Sequence, residues 1–408
     1  MRRSNAATPP PSNPVSEGSR VRRGALVPES PAVSIIVLVT TTTDRLHRCL
    51  ESIATDAGRG PVAEVLVLAN GTPSDAMSSL LTREDIVLIG SRVNHGFGGG
   101  CNWAVGFARG ARLVFINDDA VATGGWLAAL DQAVNDDPRI GVVGSRVLLR
   151  DGRLQEAGNV IWRDGSTSHL GRSLPADESQ LITRRDVDYV SFCSAMIRRE
   201  VWEQVGGFDE RYFPAYYEDV DLCMSARALG WRVVCEPTSV VIHDEGASTP
   251  VSLRHFLSGR NQKLFVSKWE AALAEFPDRP RRATAAAVMQ VTLSRTRTAQ
   301  TQLGAPPATV TAADPAAPPG GSRRRRRSGT AVKERDVLAL EVRHLADDVA
   351  VKDEYAAFLA AQLETFGGAA LARKRYLALR RALGRQVRRH PLLARPMDKL
   401  RARIGERE

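Results

Sequence analysis

The sequence has little of what marks a secreted or membrane-spanning protein. Five cysteines occur in 408 residues, Cys49, Cys101, Cys193, Cys223 and Cys235, an odd number without the paired spacing of a zinc site. A disulfide framework is therefore not expected, and the five read as reduced cytosolic thiols in or near a core. No window approaches the roughly 18 consecutive apolar residues that a spanning helix needs. Residues 1–31 begin with Arg2-Arg3 but are rich in Pro, Ser and Asn and lack the apolar centre of a secretory signal. Secretion is not expected, and any membrane contact should be peripheral. No Gly-Lys-Ser/Thr follows the one glycine-rich segment, so it is not a Walker-type phosphate loop.

What is present is an ample apolar complement. At 43% apolar residues the chain can bury a large core, which excludes disorder of the whole. The net charge of +10 is unevenly placed: residues 321–408 hold 22 Lys and Arg against 11 Asp and Glu, leaving 34 basic and 35 acidic residues upstream. The basic character belongs to the tail. Composition divides the chain into a disordered segment (1–31), a main domain (32–275), a helical extension (276–303), a Pro/Ala/Arg-rich linker (304–330) and a helical basic tail (331–408).

Within the main domain, β-type apolar runs alternate with helical patterns, which predicts an α/β fold with a mostly parallel sheet and flanking helices. Strands are expected over 34–40, 65–68, 86–89, 112–116, 142–147, 187–197 and 231–235. Helices are expected over 44–53 and 251–275, and over 218–229, where Gly230 stops the helix. In open sheets of this kind ligands collect beyond the carboxyl ends of the strands. Three polar strand ends point to one crevice there.

Four segments can carry chemistry. Asn117-Asp118-Asp119 ends a strand, where a carboxylate can hold a divalent cation against phosphates or simply serve a turn. Asn94 to Asn102 (NHGFGGGCN) reads as a glycine-rich turn leading into a helix, open to a close-lying diphosphate or sugar. Glu218-Asp219 opens a helix after Tyr212-Phe213-Pro214-Ala215-Tyr216-Tyr217, so either acid can cap the helix or act as a base. His243 follows an apolar strand and is either an edge residue or a metal ligand.

In this order the segments VSIIVLVT, Asn70-Gly71-Thr72, NHGFGGGCN, FINDDAV, GGFDERYF, YYEDVDL and Val241-Ile242-His243 resemble the family 2 glycosyltransferases of the GT-A fold. The likeness covers about residues 32–270 and is nearest the rhamnosyltransferase-like and galactofuranosyltransferase-like branch. Leu68-Ala69 departs from it, since an acid usually precedes the Asn-Gly pair. The resemblance implies that Asp119 and His243 hold Mg²⁺ or Mn²⁺ and that Asp219 is the catalytic base, with Glu218 orienting the acceptor or its loop. It also implies that Thr40, Thr41, Asn70, Gly98, Gly99, Asn102, Asn117 and Asp118 line the donor site.

The expected activity is inverting transfer of a rhamnosyl- or galactofuranosyl-like sugar from a nucleotide-sugar donor to a cell-envelope glycan or lipid-linked acceptor. The alternative is a non-catalytic membrane-associated scaffold built on a decayed transferase domain. Residues 332–363 carry apolar residues near heptad spacing and form either a coiled coil between two subunits or a helix packed back on the domain. Residues 366–408, with 13 basic and 3 acidic side chains among leucines, suit an anionic membrane surface. Nucleic acid is not expected, because no recognised binding motif accompanies the charge. The expected location is the cytoplasm, at the inner face of the membrane.

Overall fold

The computed structural model describes residues 21–41, 44–72, 77–91, 93–244, 250–302, 343–344, 346–355 and 357–358. In chain order the first elements are β1 (Val21–Arg23), β2 (Val33–Val39), α1 (Asp44–Asp56), β3 (Ala63–Asn70), α2 (Ser78–Leu81), β4 (Ile86–Ser91) and α3 (Gly96–Val105). Next come β5 (Arg112–Asn117), β6 (Ala120–Ala122), α4 (Trp126–Asp136), β7 (Ile140–Leu148), β8 (Leu154–Glu156), β9 (Asn159–Ile161) and β10 (Thr167–His169). The remainder are β11 (Arg185–Asp186), β12 (Ser194–Arg198), α5 (Arg199–Val205), α6 (Glu218–Ala228), β13 (Arg232–His243), α7 (Val251–Leu273) and α8 (Ala285–Gln302).

One 11-stranded sheet, ordered β1-β4-β3-β2-β5-β12-β7-β13-β11 with β6 on β13 and β8 on β7, carries the fold. Strands β4, β3, β2 and β5 run parallel, as does the β7–β13 pair, whereas β12 lies antiparallel between β5 and β7. The expected α/β architecture is present, and the sheet is mixed. Helices cover both faces, which explains why β2 reads as an unbroken apolar run. Its Ile36 belongs to the core that holds Cys101 and Trp103 of α3 and Val220 of α6. Ile35 and Val37 face the opposite core, with Leu46, Cys49 and Leu50 of α1 and Trp126 of α4. All five cysteines are free and buried.

Three local expectations change. Residues 187–197 are not one strand: the chain leaves β11 at the sheet edge and re-enters the centre as β12, and Val187, Tyr189, Val190 and Phe192 are buried on the way. The glycine-rich segment is itself the first turns of α3. A side chain at Gly100 would lie 2.4 Å from Leu38 Cδ1, so only glycine lets this helix approach the sheet. Finally, residues 21–31 extend the ordered domain upstream. β1 pairs with β4, and Arg23 Nη1 meets the buried Glu64 carboxylate at 2.7 Å.

Asp56, at the end of α1, caps α4 by accepting the N–H groups of Gly125 at 2.6 Å and Leu127 at 3.0 Å. Removing it strands two donors at the start of a buried helix. Asp56→Ala is therefore expected to lower the unfolding free energy by about 2–3 kcal/mol, measurable by urea denaturation. An unchanged midpoint and slope would contradict this cap.

Helical residues 346–355 pack against α7, which is the packed-back arrangement for this part of 332–363. The linker and residues 366–408 lie outside the described residues. Among the described residues, no helix is long and apolar enough to cross a membrane.

Candidate active site

Strand β13 runs further than its apolar core requires. A register shift after Glu236 carries it on to His243, which pairs with Ala120 of β6. That pairing sets the imidazole beside the turn at the end of β5. His243 Nε2 lies 3.1 Å from Asp119 Oδ1 and 3.4 Å from Asn117 Nδ2. On its other side, Nδ1 is 3.0 Å from Gln155 Oε1, which accepts its N–H and orients the ring with Nε2 toward Asp119. Burial alone would lower the His243 pKa, but Cys193 and the Asp119 carboxylate outweigh it and raise it. Asp118 is pushed up to about 7 by burial and then by its neighbour Asp119.

No group of three or more His, Cys, Asp or Glu with metal-binding geometry occurs among the described residues. The pair of Asp119 and His243 nevertheless suits a hard divalent cation that draws its other ligands from phosphate and water. Behind Asp119 a cavity of about 220 Å³ is lined by Arg45, Arg48, Val121, Arg150, Ile242 and Asp244. Asp244 Oδ2 accepts from Arg45 Nε at 3.0 Å and Arg150 Nη2 at 2.7 Å. This side of the crevice thus offers cationic side chains to an anion.

Asp219 stands in the first turn of α6, where it accepts from the Val220 N–H at 2.8 Å and from the Phe192 N–H. Burial, with the Glu156 charge added, pushes its carboxyl up to about 6 against the pull of those hydrogen bonds. Glu218 is different. It is 7% exposed, its Oε2 has no partner, and its pKa is raised well above the usual range by burial and by Asp219. It packs under α3, where a side chain at Gly98 would lie 3.7 Å from its Cβ.

The loop leading into α6 is held in a costly conformation. Tyr216 and Tyr217 have φ of 77° and 75°, a region that persists in such residues only when the surroundings impose it. Asn261 of α7 donates to the carbonyls of Tyr212, Ala215 and Tyr216, each at 2.9 Å. Tyr217 Oη donates to Gly165 O at 2.9 Å. Asp221 accepts from Lys268 and Trp269, both at 2.7 Å, and this fixes the first turn of α6 against α7.

The other residues singled out in the sequence fall into two groups. Thr40 and Thr41 are exposed at the end of β2, which lies beside the end of β5 that carries Asn117 and Asp118. Asn70, Gly98, Gly99 and Asn102 are committed to packing. Asn70 is 1% exposed, donates to Asn94 Oδ1 and Gly96 O, and accepts from the His95 N–H. Asn102 accepts from Phe208 N at 2.8 Å and donates to Phe208 O at 2.9 Å, fastening α3 to the GGFDERYF segment.

Two site residues escape a reading of the sequence. Gln155 and Glu156, 4% and 2% exposed in β8, orient His243 and act electrostatically on both Asp219 and Cys193. The signal for them was adjacent polar residues inside a buried three-residue strand, too short for any periodicity to register. The Glu156 charge thus bears on Asp219 and on Cys193, whose thiol in turn acts on His243.

Known proteins share this framework. Over 229 residues the chain is 34% identical to the O-antigen biosynthesis protein RfbC of Myxococcus xanthus, covering 54% of this chain but only 18% of RfbC. Over 254 residues it is 25% identical to the N-acetylglucosaminyl-diphospho-decaprenol L-rhamnosyltransferase of Mycobacterium tuberculosis, covering 57% of this chain and 82% of that protein. Among solved structures it is similar to GalNAc-T7 with UDP, GalNAc and Mn²⁺, at a TM-score of 0.48 and 13% identity over 59% of this chain and 48% of that one. The model of the family described as "Glycosyltransferase like family 2" matches residues 31–260, more than half of the chain, and the chain belongs to that family.

Proposed function

We propose that the chain is an inverting, metal-dependent glycosyltransferase that moves a rhamnosyl- or galactofuranosyl-like sugar from a nucleotide-sugar donor to a cell-envelope glycan or lipid-linked acceptor. The observation that carries the proposal is the Asp119–His243 pair at the end of β5, with His243 oriented by Gln155. The names of the two relatives point to envelope polysaccharide and to a lipid-diphosphate acceptor.

In this reading Asp119 and His243 hold Mg²⁺ or Mn²⁺, which when bound offsets the charge growing on the departing diphosphate. Asn117, Asp118, Thr40 and Thr41 line the donor side, and Arg45, Arg48 and Arg150 add positive charge around it. Asp219 accepts the proton of the attacking acceptor hydroxyl. Its two backbone N–H bonds fix the carboxylate, while burial makes it more basic than a solvated aspartate. Attack from the face opposite the leaving group inverts the anomeric centre. The basic residues 366–408 hold the enzyme at the inner face of the membrane, where a lipid-linked acceptor resides.

The pH profile tests the base. Only ionised Asp219 takes a proton, and its pKa is raised, so kcat/KM for the acceptor should climb with pH up to about 6 and level off above it. A solvated aspartate would place that limb near pH 4. A rate flat from pH 5 to 7 would remove Asp219 from this role.

A further inference from the structure

We propose that helical residues 346–355, with Arg343, His344 and Phe358, form a strap that holds the loop before α6, and that engagement of the acceptor depends on this strap. The proposal rests on the transferase reading, which places the acceptor against that loop. It is carried by where the tail contacts fall. His344 is 1% exposed, packs edge-on against His95 at 4.6 Å between ring centroids, and stacks over Phe213 at 6.3 Å. It also covers Gly99, where a side chain would meet its ring at 3.1 Å. Arg343 pairs with Glu210, which accepts from Asn102 Nδ2 at 3.2 Å on its other side.

Seven residues further along, Val351 joins Phe213 and Leu257 in a small apolar cluster, with Tyr216, Leu253 and Phe256 packed around it. Glu354 Oε2 accepts from Arg260 Nε at 2.8 Å, and Arg260 Nη1 in turn donates to Phe213 O at 3.2 Å. Tyr355 and Phe358 lie on Phe256, with centroids 5.4 and 5.2 Å away. These contacts fall on α3, α7 and the loop from Phe213 to Tyr216. Among the described residues none reaches β6 or the end of β13, where Asp119 and His243 stand.

The loop needs such support. Tyr216 and Tyr217 hold positive φ immediately before Glu218 and Asp219, so a relaxation at Phe213 shifts the turn that presents the base. Misplacing a base relative to its hydroxyl by about 1 Å costs on the order of a hundredfold in rate. The strap therefore acts on the acceptor half of the reaction and leaves the donor half alone. It is a positioning element, since it touches the loop and not the reacting atoms.

The test uses the full chain with Val351→Asp, which places a charge in the apolar cluster, and Val351→Ile, which keeps the contact. Three quantities are read: transfer against acceptor concentration, release of nucleoside diphosphate from the donor alone, and amide hydrogen exchange over residues 212–217. Val351→Asp should lower kcat/KM for the acceptor by about tenfold or more, leave donor hydrolysis within twofold of wild type and speed exchange in the loop. Val351→Ile should match wild type in all three. Unchanged acceptor kinetics despite faster loop exchange would overturn the proposal, as would unchanged exchange. Equal losses in donor hydrolysis and transfer would also overturn it, because they would report general damage. If the wild-type protein itself releases no nucleoside diphosphate, the transferase reading fails instead, and the exchange result still decides whether the strap holds the loop.

Discussion

Asp219→Asn is expected to lower sugar transfer about 10³-fold, within the range lost when a positioned general base is removed, while donor binding stays intact. The amide keeps an Oδ1 that accepts the Val220 N–H, so the first turn of α6 is preserved while proton acceptance is lost. Glu218→Gln provides the contrast. The Glu218 carboxyl is buried and packed beneath Gly98, and burial and Asp219 raise its pKa, so an amide of the same shape should leave transfer within about tenfold of wild type. Steady-state kinetics with saturating donor distinguish the two variants. Equal losses in both would assign the pair a shared structural role at the helix start.

Asp119→Ala is expected to abolish the metal-dependent part of donor binding, a loss on the order of 10²-fold or more when the charge of a diphosphate goes unmatched. The effect should exceed that of changing any single arginine of the adjoining cavity, because Arg45 and Arg150 are already engaged by Asp244. Without Asp119, His243 also loses the carboxylate that its Nε2 faces at 3.1 Å, so both donors of the pair are disturbed together. Titration of nucleoside diphosphate with and without Mn²⁺ measures the change. An affinity that falls equally in the absence of metal would assign Asp119 to the loop fold.

Much of this was legible in the residues themselves. Apolar runs gave the parallel strands of the first half, and the polar residues that end them, Thr40, Asn117 and Asp119, do meet at the carboxyl edge of the sheet. Helix-start chemistry found Asp219 at the head of α6. What escaped has a common cause: periodicity reports that a residue is buried, and is silent on what it is buried against. NHGFGGGCN looks like an anion-binding loop, yet its glycines serve a helix pressed onto Leu38, Phe208 and His344. Asn70 and Asn102 look like ligand contacts, yet each spends its amide on backbone groups distant in sequence. Gln155 and Glu156 sit in a strand of three residues, where no alternation can show. The antiparallel insertion of β12 and the return of the tail onto α7 are long-range pairings of the same kind.

The central claim is that Asp119 and His243 make a metal-dependent donor site. The measurement that tests it most directly is thermal unfolding of the wild-type protein and of Asp119→Ala against a panel of nucleoside diphosphates and their sugars, each with Mn²⁺ and with chelator. A ligand that binds only the folded state at a hundred times its Kd adds about 2.7 kcal/mol of stability. One nucleotide should raise the wild-type midpoint by several degrees, in Mn²⁺ alone, and Asp119→Ala should show no such shift. A wild-type protein indifferent to every nucleotide, or a shift that survives both chelator and Asp119→Ala, would contradict the claim.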